Sequence, residues 1–147
     1  KACGPVAVLR HLSSVSTLVT QGGKRDGANM AVMDVHHPDI MDFITCKTQE
    51  GQIHNFNISV GASQEFMQAV ERGEDYDLRD PLTGQVTGKL NAPEVFGQII
   101  DGAWLNGEPG LVNADPEAGG WMFKIEISDA GELDSLLDAD GYAKLTV

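Results

Sequence analysis

Three glycines fall within eight residues of the stretch Thr20-Gln21-Gly22-Gly23-Lys24-Arg25-Asp26-Gly27-Ala28-Asn29-Met30, the part of the chain best suited to hold a ligand. Glycine lets a backbone bend closely round a bound group. Lys24 and Arg25 offer charge-assisted hydrogen bonds to a phosphate, while the amides of Gln21 and Asn29 offer donors and acceptors to a base or ribose. The competing reading is a glycine-rich connection from helix to strand with ordinary surface charges, and composition alone does not separate the two.

The other groups with chemical potential read as structural. His36 and His37 are adjacent, so their side chains diverge on a strand, and no cluster of carboxylates and histidines completes a metal's four ligands; His11 and His54 are isolated. No metal is expected. Asp39 with Asp42, and Glu71 with Glu74 and Asp75, suit solvated helix faces and ends better than acid/base pairs. Cys3 and Cys46 form no CxxC pair, which fits a reducing compartment and structural or incidental thiols. Met30, Met33, Met41 and Met67 read as core filler.

Alternating helices and strands must position these groups. Val6, Leu9, Leu12, Val15 and Val19 recur at helical spacing from Pro5 to Val19, which predicts one buried face and a stop at Gly22-Gly23. Ala28 to Val35 reads as a strand, and Pro38 opens a short helix through Ile40, Phe43 and Ile44, with His37 at its N-cap and its end near Lys47. Phe56, Ile58 and Val60 alternate as a second strand, and Ser63 caps a helix bearing Phe66, Met67 and Val70. Tyr76–Leu78 and Gln85–Leu90 flank Asp80-Pro81-Leu82-Thr83-Gly84 as a hairpin. Asn91, Pro93 and Glu94 then start a helix whose apolar side is Val95, Phe96, Ile99, Ile100, Ala103 and Trp104. A turn at Asn106–Gly110 leads to a strand with Trp121, Phe123, Ile125 and Ile127 on its bulky face. A last helix comes after it, capped by Asp129 and Glu132 and carrying Leu133, Leu136 and Leu137. The order predicts an α/β fold (or α+β), with a mixed sheet because of the hairpin and with flanking helices.

The chain has 147 residues, 41% hydrophobic and 22% charged, enough for one domain with its own core. Ten basic against 22 acidic side chains give a net charge of -12, which disfavours nucleic acid or an anionic membrane as partner. No apolar run approaches the roughly 20 residues that span a bilayer. The start KACGPVAVLRH lacks a signal peptide's apolar centre, so a cytoplasmic location is expected. The charge is unevenly spread: residues 1–110 carry a net -6, and so do the last 37, residues 111–147.

Several motifs in order carry a resemblance. Gln21-Gly22-Gly23-Lys24-Arg25-Asp26-Gly27-Ala28-Asn29-Met30, His37-Pro38-Asp39-Ile40 with Phe43-Ile44, Asn55-Phe56-Asn57-Ile58-Ser59-Val60 with Phe66-Met67, and Asp80-Pro81-Leu82-Thr83-Gly84 match in order and spacing. Together they resemble the large subunit of ribonucleotide reductase in its adenosylcobalamin-dependent class, over roughly residues 4–111. The resemblance implies an internal part of a ten-stranded α/β barrel, whose glycine-rich loop links the deoxynucleotide effector to the substrate base. It assigns Gln21, Gly22, Gly23, Arg25 and Gly27 to that loop, with Lys24, Ala28 and Asn29 beside them. Asp26 stands where the family usually has a second basic residue, and Thr20 where it often has a lysine; both remove positive charge from the loop. The family's chemistry also needs a thiyl-radical cysteine in an Asn-x-Cys-x-Glu motif and two reducing cysteines, whereas this chain has two cysteines and no such motif. The resemblance therefore implies weak nucleotide binding without turnover and no catalytic residue in this chain. Adenosylcobalamin belongs to the intact family, and no cofactor is expected in this piece. The expected partners are a deoxynucleoside triphosphate or ribonucleotide, and either a missing barrel fragment or further copies of the chain.

The tail carries a second resemblance. Leu111-Val112-Asn113-Ala114-Asp115-Pro116-Glu117, Gly120-Trp121-Met122-Phe123-Lys124-Ile125 and Glu132-Leu133-Asp134-Ser135-Leu136-Leu137-Asp138 with Tyr142 are similar to the C-terminal end of the glycine cleavage system H-protein. That divides the chain into residues 1–110 and residues 111–147, expected to pack as one domain. It makes the chain an apparent chimera: a natural fusion, joined gene fragments, or an engineered or generated sequence. The alternative function is then a carrier-like or interaction protein whose acidic tail docks a glycine-cleavage partner. Lys124 is not in a lipoylation motif, so no lipoyl group is expected.

Overall fold

The computed structural model describes residues 3–18, 20–21, 25–48 and 53–114. The expected strand from Trp121 and the helix capped by Asp129 lie outside the described residues. Four α-helices and seven strands occupy the described part, in the order helix, three strands, helix, strand, helix, hairpin, helix, strand. The α/β reading holds, and the sheets do not close into a barrel. No helix among the described residues is long and apolar enough to cross a membrane.

The centre is a parallel sheet of β3 (Asn29–Asp34), β4 (Phe56–Ala62) and β7 (Gly110–Asn113), in the order β3-β4-β7. Its register sets Ala31 beside Ile58, Met33 beside Val60 and Val60 beside Leu111, so these side chains share one face. That face joins a single cluster with Phe43 of α2 (Ile40–Thr45), Phe66 of α3 (Gln64–Arg72), and Val95 and Ile99 of α4 (Ala92–Asn106). The opposite face carries Met30, Val32 and Val112, all exposed. Met30, expected in the core, is 61% exposed because strand alternation puts it opposite Met33.

Two helices start on the local chemistry read from the sequence. Ser63 Oγ accepts the Phe66 N–H at 3.1 Å to cap α3, which Gly73 closes in the left-handed conformation at φ 72°. Asn91 Oδ1 accepts the Glu94 N–H at 3.3 Å to cap α4. The other two helices differ from expectation. α1 (Pro5–Ser16) ends well before the glycine pair and buries Val6 and Ser13, while Leu12 and Val15 stay exposed. Ser13 is drawn inward by hydrogen bonds to Asn55, which turns the helix away from its most apolar stripe. α2 starts at Ile40 with Asp39 as N-cap, and His37 lies in the preceding turn, its Nδ1 accepting the Asp39 N–H at 3.0 Å.

β5 (Asp75–Arg79) and β6 (Val86–Asn91) form the expected hairpin, but as a two-stranded sheet of its own. The mixed sheet is thus replaced by separate parallel and antiparallel sheets. The Arg79 N–H reaches the His36 carbonyl at 2.7 Å, already past the end of β3, so the hairpin continues beyond the parallel sheet without joining it. The division expected between residues 110 and 111 falls inside β7. In α4, burial stops at Ile99: Ile100 is half exposed and Trp104 is 92% exposed, against the expectation of a continuous apolar side.

Gly102 marks where α4 meets the approach to β7. A Cβ there would lie 2.9 Å from the Glu108 carbonyl oxygen and 3.2 Å from Pro109 Cδ, whereas one at Gly97, on the same helix, would meet nothing within 4 Å. Alanine normally stabilises a helix over glycine by about 1 kcal/mol. Gly97→Ala should therefore raise the unfolding midpoint in denaturant, and Gly102→Ala should lower stability by about 1–2 kcal/mol through overpacking. Equal gains from both substitutions would contradict the close approach.

Candidate nucleotide-binding loop

β1 (Thr20–Gln21) and β2 (Arg25–Asp26) pair antiparallel, Thr20 with Asp26 and Gln21 with Arg25. The glycine-rich segment is thus flanked by a short antiparallel pair that stands in the chain between α1 and β3. Gln21 and Arg25 lie directly opposite each other; Gly22, Gly23 and Lys24 lie outside the described residues. Gly27 and Ala28 connect this pair to β3, which Asn29 opens.

The return from this pair is held by polar contacts. The Asn29 N–H donates to the Asn55 carbonyl at 2.8 Å, and Asn29 Nδ2 donates to Ser16 Oγ and to the Gly27 carbonyl, both at 3.1 Å. Both amide protons of Asn29 are therefore engaged inside the protein, and the side chain acts as a latch closing the loop onto α1. Asn55 is buried and is itself gripped by Ser13, whose hydroxyl donates to Oδ1 at 2.7 Å and whose carbonyl accepts from Nδ2 at 2.8 Å. Ser13, Ser16 and Asn55 escape a reading of the sequence, because nothing in the periodicity of α1 or the approach to β4 brings them together.

A second polar region sits at the other end of β3. Asp34, His36, His37, Arg79, Asp80 and Pro81 line a cavity of about 320 Å³. His36 is buried and committed at both nitrogens: Nδ1 meets the Asp77 carbonyl at 2.7 Å and Nε2 meets Ser63 Oγ at 2.7 Å. A carbonyl only accepts, so Nδ1 carries a proton and donates it, while Nε2 shares a hydrogen bond with the Ser63 hydroxyl. This histidine thereby extends the α3 cap to the hairpin. Beside it the Tyr76 hydroxyl donates to the Val35 carbonyl at 3.0 Å, and burial, reinforced by the Asp34 charge, raises its pKa far above the usual phenol range. Arg79 Nη2 is paired with both Glu65 oxygens at 2.9 Å. These commitments leave the cavity with structural polar groups, and the described residues contain no group of three or more metal-ligating side chains.

The two cysteines differ in placement. Cys46 caps the end of α2 and is buried, and burial pushes its thiol pKa up despite the nearby Lys47 and Arg10 charges; Cys3 is exposed. A buried thiol with a raised pKa is a poor nucleophile.

Comparison with known proteins decides the family. The family model for the ribonucleotide reductase barrel domain matches residues 1–117. The chain belongs to this family. It is 44% identical over 115 residues to the vitamin B12-dependent ribonucleoside-diphosphate reductase of Mycobacterium tuberculosis strain H37Rv, covering 78% of this chain and 16% of the relative. The vitamin B12-dependent ribonucleoside-diphosphate reductase of Thermoplasma acidophilum is 39% identical over 115 residues, covering 78% of this chain and 15% of the relative. The vitamin B12-dependent ribonucleotide reductase of Streptomyces coelicolor is 31% identical over 134 residues, covering 75% and 14%. The chain thus spans about a sixth of the length of the reductases it matches, and the three-stranded parallel sheet is a piece of the barrel domain. The match through residue 117 takes in β7 and passes the boundary expected at residue 110.

Asp80 gives a pH-dependent check on the ribonucleotide reductase hairpin. Its carboxylate accepts the N–H groups of Leu82 and Thr83 at 2.9 and 2.8 Å, and these bonds, Thr83 first, hold its pKa below the usual aspartate range. A carboxyl whose pKa falls on folding contributes stability above its unfolded value of about 3.9, and loses it as pH falls through the lower folded value. The denaturant midpoints of wild type and Asp80→Ala should differ fully at neutral pH and converge as pH drops below about 4. A gap constant from pH 7 to 3 would contradict this role.

Proposed function

We propose that this chain is the portion of a vitamin B12-dependent ribonucleotide reductase large subunit that carries its nucleotide-responsive loop, and that it binds nucleotide there without turnover. The single observation behind this is the antiparallel pairing of Gln21 with Arg25, followed by the anchored Asn29, within the family-matched segment. Arg25 and Lys24 supply phosphate contacts, the Gly22, Gly23 and Gly27 backbone allows close approach, and Gln21 and Ala28 complete the contact surface. Asn29 closes the loop from behind. The named relatives are vitamin B12-dependent reductases, and the reduction they perform belongs to the whole protein.

The cavity beyond β3 does not fit adenosylcobalamin. At about 320 Å³, it is too small for a corrinoid. No step through the cofactor is assigned to the described residues.

The open face of the parallel sheet, with Met30, Val32 and Val112, supports a partner that completes the barrel: the rest of the large subunit, or further copies of the chain. The division into a reductase part and an H-protein-like tail rests on sequence resemblance.

The test is thermal unfolding of the chain, alone and with deoxynucleoside triphosphates and ribonucleotides, with Arg25→Ala beside it. A ligand that binds only the folded state stabilises it by about 2.7 kcal/mol at 100 times its Kd. The expected result is a midpoint raised by one nucleotide class in the wild type and unmoved in Arg25→Ala. A wild-type midpoint indifferent to every nucleotide would overturn the proposed function.

A further inference from the structure

We infer that Ser13 and Asn55 are positioning residues for the nucleotide loop, fixing its bound conformation through Asn29 without touching the ligand. The inference rests on the function proposed above, and adds two residues outside the loop that govern it. Ser13 and Asn55 exchange two hydrogen bonds, hydroxyl to Oδ1 at 2.7 Å and Nδ2 to carbonyl at 2.8 Å, across 42 positions of sequence. Both side chains are buried, at 4% and 8% exposure, where a polar pair survives only if its bonds are made. The pair lies directly behind the loop. On one side the Asn55 carbonyl takes the Asn29 N–H at 2.8 Å; on the other, one turn along α1 from Ser13, Ser16 Oγ takes Asn29 Nδ2 at 3.1 Å.

The last turn of α1 and the start of β4 are thereby locked into one unit, and the loop leaves from one part of it and returns to the other. The turn that presents Asn55 is itself constrained. Ile53 sits at φ 54°, a left-handed conformation unfavourable for a β-branched residue, and it is held there by a side chain only 2% exposed and a carbonyl that accepts the Phe56 N–H at 3.2 Å. Stability alone would be served as well by an apolar pair at positions 13 and 55. A reciprocal amide and hydroxyl pair instead fixes distance and orientation, as a segment that must return through Gly27 and Asn29 at a fixed place requires.

The experiment compares the wild-type chain with Ser13→Ala, with Ser16→Ala as a milder variant at a half-buried site, and with Val70→Ala as a core control that loses stability in α3. Binding of dATP, dGTP, dTTP and CDP is measured by calorimetry, and hydrogen exchange is followed at the amides from Arg25 to Asn29. We expect Ser13→Ala and Ser16→Ala to weaken binding by about tenfold, the equivalent of one lost hydrogen bond of about 1.4 kcal/mol. Exchange at Asn29 should speed up in both, and Val70→Ala should lower the melting midpoint while leaving affinity and Asn29 exchange unchanged. Wild-type affinity in both serine variants, or an equal loss in Val70→Ala, would overturn the inference. If the wild type binds none of the four nucleotides, the proposed function fails. The positioning is then decided by exchange alone: faster exchange at Asn29 in the serine variants supports it, and exchange equal to wild type overturns it.

Discussion

Lys47 is the contact on which the register of the parallel sheet depends. Its Nζ lies 2.6 Å from the Glu108 carboxylate and 2.6 Å from the Phe56 carbonyl, and its own backbone carbonyl accepts from Asn106 Nδ2 at 3.2 Å. The same Glu108 oxygen accepts the Ile58 N–H at 3.4 Å. One cation thus joins the end of α2, the start of β4 and the approach to β7. Both partners are mostly buried, with side chains 14% and 20% exposed, so the pair is screened less than a surface bridge and carries more positional information. Slip β7 by one residue and Leu111 leaves the core for the open face, while Val112 enters it.

With the register set, the two ends of β3 acquire different characters. At its start, Asn29 closes the glycine-rich segment against Ser16 and Asn55. At its end, His36, Ser63, Asp77 and Tyr76 form a connected polar group that fastens the antiparallel hairpin and the α3 cap to the chain leaving the sheet. The buried side-chain polar atoms there all have partners, which suits a joint. The start of β3 instead has its anchors behind the loop, and this is the disposition expected of a binding segment supported by a rigid base.

Local signals were legible in the sequence. Ser63 and Asn91 announced their helices because a cap is decided within four residues, and Asp80 to Gly84 announced its turn for the same reason. The alternation of Phe56, Ile58 and Val60 marked β4. The glycine-rich loop stood out by composition, and its motifs pointed to the family that the comparisons then showed. What stayed hidden was decided by distant partners. The early end of α1 and the burial of Ser13 follow from Asn55; alternation in β3 marks two faces without saying whether Met30 or Met33 will be covered; and the exposure of Trp104 depends on α4 touching Glu108 and Pro109 at Gly102, beyond its last buried residue. The placement of the hairpin beyond the parallel sheet likewise rests on long-range bonds, Arg79 and Asp77 to His36 and Tyr76 to Val35.

The wide spacing of the sheet's partners imposes an order on assembly. β3 and β4 are joined through α2 and pair along their whole length, so they can meet early. β7 finds β4 only across α3, the antiparallel hairpin and α4, with Ile58 and Glu108 50 positions apart. Closing so long a loop costs entropy that is recovered only once the intervening elements have condensed. During synthesis β4 therefore presents an unpaired edge until the chain beyond Pro109 has emerged, and the helices already packed on its core face are what keep that edge from finding another strand first.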